Sequence, residues 1–313
     1  MYALKILQKD RIVATKQVQN VRVEKQVLEL CDHPFITRLV CTIKDANNLY
    51  FLLEYLQGGE LFNIMTSAPY GGKLTLTESR FYMGCVVSAL AHLHRKNVLY
   101  RDLKPENMLI DEKGYIKFCD FGLAKRINLD KGQQAFTVCG TTEYLAPELI
   151  KGRGYDAGVD WWAAGILIYE MLYARTPFAD PSNNPMKICR KILEQPVSFP
   201  AGWQRERQHA TAQPALKQAA EALIRGLTHP RSARRWGTSA GGIGKIINAP
   251  FFADLDWDQL LARTIKCPGK IPEVKNPLDT SNFEPISAAD EQEFMTECAG
   301  AASSVPESEW ADF

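Results

Sequence analysis

The chain predicts an α+β fold, strand-rich at its N-terminal end and helical after it, which 313 residues could arrange as one large domain or two modest ones, followed by an extended tail. Three observations carry this. Strand-like apolar runs at 2–7, 37–43 and 48–53 all lie early in the 313 residues. Helical apolar spacings then take over, at 77–97 and 158–174, and after Asn248 the chain becomes proline-rich and loses periodicity. Hydrophobic residues at 46% and charged residues at 23% are ordinary for a globular protein. A net charge of +1 excludes bulk attraction to nucleic acid or anionic lipid, so charged partners must be met locally. The most apolar stretch, 158–174, contains Asp160 and Glu170 and is shorter than the roughly 20 residues a membrane span needs; it reads as a buried core helix. Met1 runs straight into Tyr-Ala-Leu-Lys-Ile-Leu, which predicts no signal peptide. The eight cysteines show no CxxC spacing, and Cys31 with His33 reads as a helix end, so reduced thiols and an intracellular, cytoplasmic location are expected.

Chemistry concentrates in Tyr100-Arg-Asp-Leu-Lys-Pro-Glu-Asn107 and in Asp120-Phe121-Gly122. Asp102 could accept a hydroxyl proton, Lys104 could neutralise charge on a transferring group, and Asn107 with Asp120 could hold a divalent metal. A lone Asp-Phe-Gly is often only a turn with a buried aromatic; the long motif ahead of it needs another explanation. Together the two motifs resemble the protein kinase signature. Tyr100, where the commonest form has His, narrows the resemblance to the AGC group. The resemblance implies a two-lobed protein kinase fold using ATP and Mg²⁺, for which Mn²⁺ could stand in, and transfer to serine or threonine.

Taken in order, the first strand carries one charge, Lys5, in an apolar run. By itself it reads as a snorkelling surface lysine; by resemblance it is the phosphate-gripping lysine of the small lobe. Residues 15–31 place Val21, Glu24, Val27, Leu28 and Cys31 on one helical face, and a glutamate facing inward needs a cation, for which Lys5 is the candidate. His33-Pro-Phe ends the helix. Residues 54–60 read as a flexible connection between lobes; the resemblance implies adenine contacts around Glu54 and Leu56, a gating role for Leu53, and a Glu60 that reaches the ribose or a substrate arginine. Residues 68–74 are turn-rich and read as a surface insertion. In 77–97, Phe81, Cys85, Ala89 and Leu93 recur every fourth residue, the mark of a core helix.

Phe136-Thr-Val-Cys-Gly-Thr-Thr-Glu-Tyr-Leu-Ala-Pro-Glu148 resembles the AGC activation segment. It implies an activating phosphate on Thr137, paired with Arg101 and Lys125, and a Thr141 that meets Asp102 and Lys104. Thr142 stands where many relatives have proline, so less rigidity is expected there. Glu148 needs a buried cation, for which Arg235 is the match, and Asp160 is expected to hold the catalytic-loop backbone. Residues 203–217 read as a solvated loop. Ser239–Ile246 fails the phosphate-loop pattern, since its first glycine is Ser239 and Ile follows Lys245; it reads as a surface turn. In the tail, Phe283 would close over adenine, and Trp310 with Phe313 would dock on the small lobe near the Glu24 helix. Residues 287–308 read as a disordered acidic end.

The expected organisation is a kinase domain at 1–252, with a small lobe at 1–54 and a large lobe at 55–252, and a tail at 253–313. Because the chain begins at the lysine strand, the two strands and Gly-rich loop that precede it in the family are expected to be missing by N-terminal truncation. The expected function is a Ser/Thr kinase acting on Arg/Lys-rich proteins, with Glu60, Glu106, Glu143 and Glu170 receiving the basic side chains. Residues ALKIL, IVATKQ, RLV and DTSNF resemble the cGMP-dependent branch, then the cAMP-dependent catalytic subunit, which implies a cyclic-nucleotide-binding regulatory domain or subunit outside this chain. The alternative is an impaired kinase serving as a binding scaffold.

Overall fold

In the computed structural model, residues 1–67, 71–200, 214–285, 287, 292 and 306–313 are described. The small lobe is a three-stranded antiparallel sheet with order β1-β3-β2, flanked by two helices. Strand β1 (Tyr2–Gln8) pairs with β3 (Asn48–Glu54), setting Lys5 opposite Phe51, and β2 (Leu39–Lys44) pairs with the other edge of β3. The alternation expected of a half-buried strand appears in β3, where Leu49 and Phe51 are buried and Tyr50 is less so. Helix α1 (Lys9–Ala14) was not expected, and it shortens the helix anticipated at 15–31 to α2 (Val18–Leu30). The reason is Lys16, which turns at φ 57° and separates the two helices. Likewise β2 starts at Leu39 rather than Thr37, because the Thr37 N–H is drawn to the Phe118 carbonyl of the large lobe (2.9 Å).

The large lobe begins with α3 (Leu61–Thr66) and α4 (Leu76–Arg95). A capping box starts α4: Thr75 Oγ1 accepts from the Glu78 N–H and Glu78 returns a bond to the Thr75 N–H (2.7 Å), which is worth about 1 kcal/mol. Phe81, Cys85, Ala89 and Leu93 are all buried, as their spacing requires. The short strands β4 (Val98–Leu99), β5 (Met108–Ile110), β6 (Ile116–Phe118) and β7 (Lys125–Arg126) form the pairs β4-β7 and β5-β6, between which the loop of residues 100–107 runs. Beyond α5 (Pro147–Ile150), helix α6 (Gly158–Tyr173) is apolar on all sides and almost wholly buried, as expected of a central core helix. Ala174, left-handed at φ 55°, ends it by donating to the Glu170 carbonyl. Helix α7 (Pro185–Glu194) follows, capped by Asn184.

Two expectations for the later large lobe are corrected. The solvated loop anticipated at 203–217 ends early, because Pro214–Lys217 open α8 (Pro214–Leu227), where Leu216 and Lys217 are buried; 203–213 lie outside the described residues, as do 68–70. The surface turn anticipated at 239–246 contains α9 (Gly244–Ile247), with Ile246 fully buried. The tail opens with α10 (Trp257–Leu261) and then crosses the 54–60 connection: Asn282 donates to the Gln57 carbonyl (2.9 Å) and Tyr55 to the Asp279 carbonyl (2.9 Å). Gly59 (φ 73°) permits this crossing, since a Cβ there would lie 2.4 Å from the Asn282 carbonyl oxygen. Most of 287–308, expected to be disordered, lies outside the described residues.

Candidate active site

Three side chains from distant segments meet at the mouth of the cleft. Strand β1 delivers Lys5 and the inward face of α2 delivers Glu24; Lys5 Nζ lies 2.7 Å from Glu24 Oε1 and 3.3 Å from Asp120 Oδ1. Burial pushes the Glu24 carboxyl up while Lys5 pulls it back. Burial also opposes the Lys5 ammonium, but Glu24 and then Asp120 outweigh it, so Lys5 stays a cation. At Asp120 burial again opposes ionisation, and Lys5 together with the Gly122 N–H more than offsets it, holding the carboxyl below its ordinary range. The Asp120 side chain is 52% exposed, so it presents ionised oxygens to the cleft. Asp120 sits at φ 53°, in a region that is costly for a residue other than glycine and persists where the surroundings enforce it.

The 100–107 loop is fixed from behind. Asp160, in the first turn of α6 and fully buried, accepts from the backbone N–H groups of Tyr100 (3.0 Å) and Arg101 (2.8 Å). Its partner His94, at the end of α4, lies 2.7 Å away. The Tyr100 ring packs against Phe118 and edge-on to Phe121, and its hydroxyl donates to the Cys119 carbonyl (2.6 Å). Within the loop, the Asn107 amide donates to the Asp102 carboxylate (2.8 Å) and carbonyl (2.9 Å), which leaves its amide oxygen as the group able to meet a cation. Lys104 Nζ lies 3.1 Å from Asp102, and the Thr141 hydroxyl sits 3.4 Å from both.

Asn107 and Asp120 flank the β5-β6 hairpin, where the Cys119 N–H donates to the Asn107 carbonyl (3.1 Å). A carboxylate and an amide oxygen at one hairpin mouth are a hard-oxygen donor pair that fits Mg²⁺ shared with phosphate oxygens. Among the described residues no group of three or more His, Cys, Asp or Glu side chains could cage a metal alone.

Along the cleft, Leu53 is half-buried and Leu56 buried. The Glu54 carboxylate is taken by Lys117 (2.7 and 2.8 Å) and the Arg38 N–H, while its own N–H donates to the Arg38 carbonyl. The N–H of Glu54 is thus occupied within the small lobe. The Phe283 ring centre lies 6.0 Å from that of Tyr55, on the tail segment that crosses this connection. The acidic residues form one neighbourhood. Burial pushes up Glu60, and Glu106 and Glu284 add to the shift. Burial also pushes Glu170 up to about 7, with Glu106 and Glu143 adding to it and the Tyr144 hydroxyl opposing. Tyr144 donates to Glu170, and Glu143 accepts from Thr176 (2.7 Å).

Exposed Thr137 lines a cleft of about 660 Å³ with Arg101 and Lys125. Glu148 and Arg235 form a two-pronged pair (2.6 and 3.0 Å) with Arg235 fully buried. At the far side of α2, Trp310 is fully buried, its carbonyl accepts from Lys44 (2.6 Å), and Phe313 packs edge-on to Phe51 beneath Lys25. Sequence reasoning missed His94, Lys117, Tyr144, Tyr155 and Glu284. Of these only Glu284, beside Phe283, carried a signal, as one more acid next to a singled-out residue.

The profile of the protein kinase domain family matches residues 1–252. Over 296 residues the chain is 40% identical to the cAMP-dependent protein kinase catalytic subunit of Dictyostelium discoideum, covering 95% of this chain and 42% of that protein. It is 41% identical over 284 residues to the serine/threonine-protein kinase YPK1 of Saccharomyces cerevisiae, covering 91% and 38%. To the cAMP-dependent protein kinase catalytic subunit PRKX of Homo sapiens it is 40% identical over 283 residues, covering 90% and 73%. The chain spans less than half the length of the first two relatives. With that profile reaching from the lysine strand through the large lobe, the chain belongs to the protein kinase domain family.

Proposed function

We propose that the chain is the catalytic part of an AGC-type serine/threonine protein kinase, transferring the γ-phosphoryl group of ATP to hydroxyls in Arg/Lys-rich protein segments. The observation that carries it is the convergence of Lys5, Glu24 and Asp120 with the loop that holds Asp102, Lys104 and Asn107. Bound between the lobes, Mg²⁺-ATP supplies the transferable phosphoryl group and the cation that neutralises its charge. Asp120 and the Asn107 amide oxygen would hold the metal, and Lys5, kept cationic and aimed by Glu24, would grip phosphate oxygens. Asp102 orients the substrate hydroxyl and takes its proton, with Lys104 beside it as the compensating charge. Thr141 lies within reach of both, and Glu60, Glu106, Glu143 and Glu170 form the acidic field that receives basic residues.

Residues 1–252 form the kinase domain in this reading, with the tail from 253 completing the adenine site through Phe283 and bracing α2 through Trp310 and Phe313. The reading extends to cyclic-nucleotide control in the manner of the cGMP-dependent branch, through a regulatory domain or subunit. The motif residues ALKIL, IVATKQ and DTSNF support it, as do two relatives named cAMP-dependent; YPK1, whose name carries no such dependence, is equally similar. An intracellular location rests on the free thiols of the described cysteines, and no helix among the described residues is long and apolar enough to cross a membrane. The intact set of charged groups in the cleft supports an enzyme over a scaffold.

The test is transfer of labelled γ-phosphate from ATP to an arginine-rich serine peptide by the full chain. Loss of the general base in Asp102→Asn is expected to lower kcat by about 10²-fold or more. No transfer to any serine or threonine peptide, or an unchanged Asp102→Asn rate, would refute the reading.

A further inference from the structure

Tyr155 lies between α5 and α6, is 2% exposed, and pairs its backbone with Ala135 in both directions (2.9 and 3.0 Å). Its hydroxyl does two further things. It donates to the Thr137 carbonyl (2.7 Å) and accepts from Arg101 Nη1 (2.8 Å). Arg101 in turn donates through Nε to the Leu123 carbonyl (2.7 Å). One buried phenol thus links Arg101, and through it the Leu123 carbonyl just beyond Gly122, to the activation segment at Thr137.

The surroundings are built for this approach. Gly154 lets the segment lie flat on the turn, since a Cβ there would sit 2.2 Å from Gln134 Oε1 and 3.0 Å from the Phe136 ring. Arg101 occupies φ 69°, a strained conformation that needs external restraint. Asp160 supplies that restraint at its backbone, and Leu123 and Tyr155 supply it at its side chain. None of these bonds requires charge on Thr137.

We propose that Tyr155 is a positioning residue that keeps the activation segment docked on the catalytic loop while Thr137 is unmodified, giving the chain a phosphate-independent basal activity. The inference rests on the kinase reading above. A phosphate on Thr137 would offer Arg101 charge-assisted bonds stronger than those of a neutral phenol. The two restraints are therefore redundant, and the phenol matters most when phosphate is absent.

The test places Tyr155→Phe in two backgrounds, Thr137→Ala and the full chain phosphorylated at Thr137. The acceptor at Thr137 is a backbone carbonyl, so Thr137→Ala leaves the link intact. Removing one neutral and one charge-assisted hydrogen bond is expected to lower kcat about tenfold in the Thr137→Ala background, with KM for ATP unchanged. In the phosphorylated chain the loss is expected to stay under about twofold. Equal losses in both backgrounds, or none in either, would overturn the proposal. Amide hydrogen exchange in the unphosphorylated chain gives a readout independent of turnover. Tyr155→Phe is expected to accelerate exchange across 123–139 about tenfold while leaving α6 unchanged, and identical exchange in both proteins would overturn the proposal. If the parent transfers no phosphate, the kinase reading fails and exchange alone decides the link.

Discussion

Glu170 is the residue whose charge the solution pH should control. Burial first, then Glu106 and Glu143, raise its carboxyl from 4.5 to about 7 against the opposing hydroxyl of Tyr144. In the proposed reading Glu170 completes the acidic field that receives a basic substrate when it is ionised, which is about one tenth of molecules at pH 6 and about nine tenths at pH 8. Apparent affinity scales with the competent fraction, so KM for an arginine-rich peptide is expected to fall about tenfold over that interval, equivalent to about 1.4 kcal/mol. Stability should run the other way. A carboxyl raised in the folded state favours folding while it is neutral, fully below about 4.5, and that advantage is lost as pH rises through about 7. The assay is steady-state kinetics with a histidine-free peptide at fixed ionic strength. Glu170→Gln should give a high KM that no longer varies with pH. Tyr144→Phe, which removes the bond that lowers the pKa, should move the inflection upward. A Glu170→Gln protein that keeps the wild-type pH slope would refute the assignment, because some other group would then be titrating.

The remaining predictions concern stability. Glu148→Ala strands the fully buried Arg235 guanidinium and should cost about 3–5 kcal/mol in urea unfolding. Trp310→Ala empties a fully buried indole site against the small lobe and should cost a comparable 3–5 kcal/mol or so, seen as a lower melting temperature. Thr142 opens a short 3-10 turn at 142–144, and the preceding Thr141 is already extended at φ −77°, ψ 128°. Proline fits there, so Thr142→Pro should stabilise by about 0.4–1 kcal/mol, raising the melting temperature.

Which residues were legible follows from how each relates to its local pattern. Lys5 in an apolar strand reads by itself as a snorkelling lysine, but Glu24 interrupts an apolar helical face and called for a cation; the structure sets them 2.7 Å apart. Glu148 and Arg235 answer the same demand for compensated burial. His94 and Tyr155 violate nothing. A histidine in the last turn of a helix and a tyrosine in a glycine-bordered turn are satisfied by local rules, so only the arrival of α6 and of the activation segment gives them partners. The start of α8 was missed for a different reason. Leu216, Ala219, Ala220, Leu223, Ile224 and Leu227 form a helical stripe that is buried throughout, but its first turn adjoins a polar stretch without period. Helix α1 has six residues and no side-chain cap, too short for periodicity to register. A sequence therefore exposes the residues whose chemistry conflicts with their immediate surroundings. The groups that position a catalytic loop need not conflict with anything nearby, because what they hold lies tens of residues away, as the 54 residues between Arg101 and Tyr155 show.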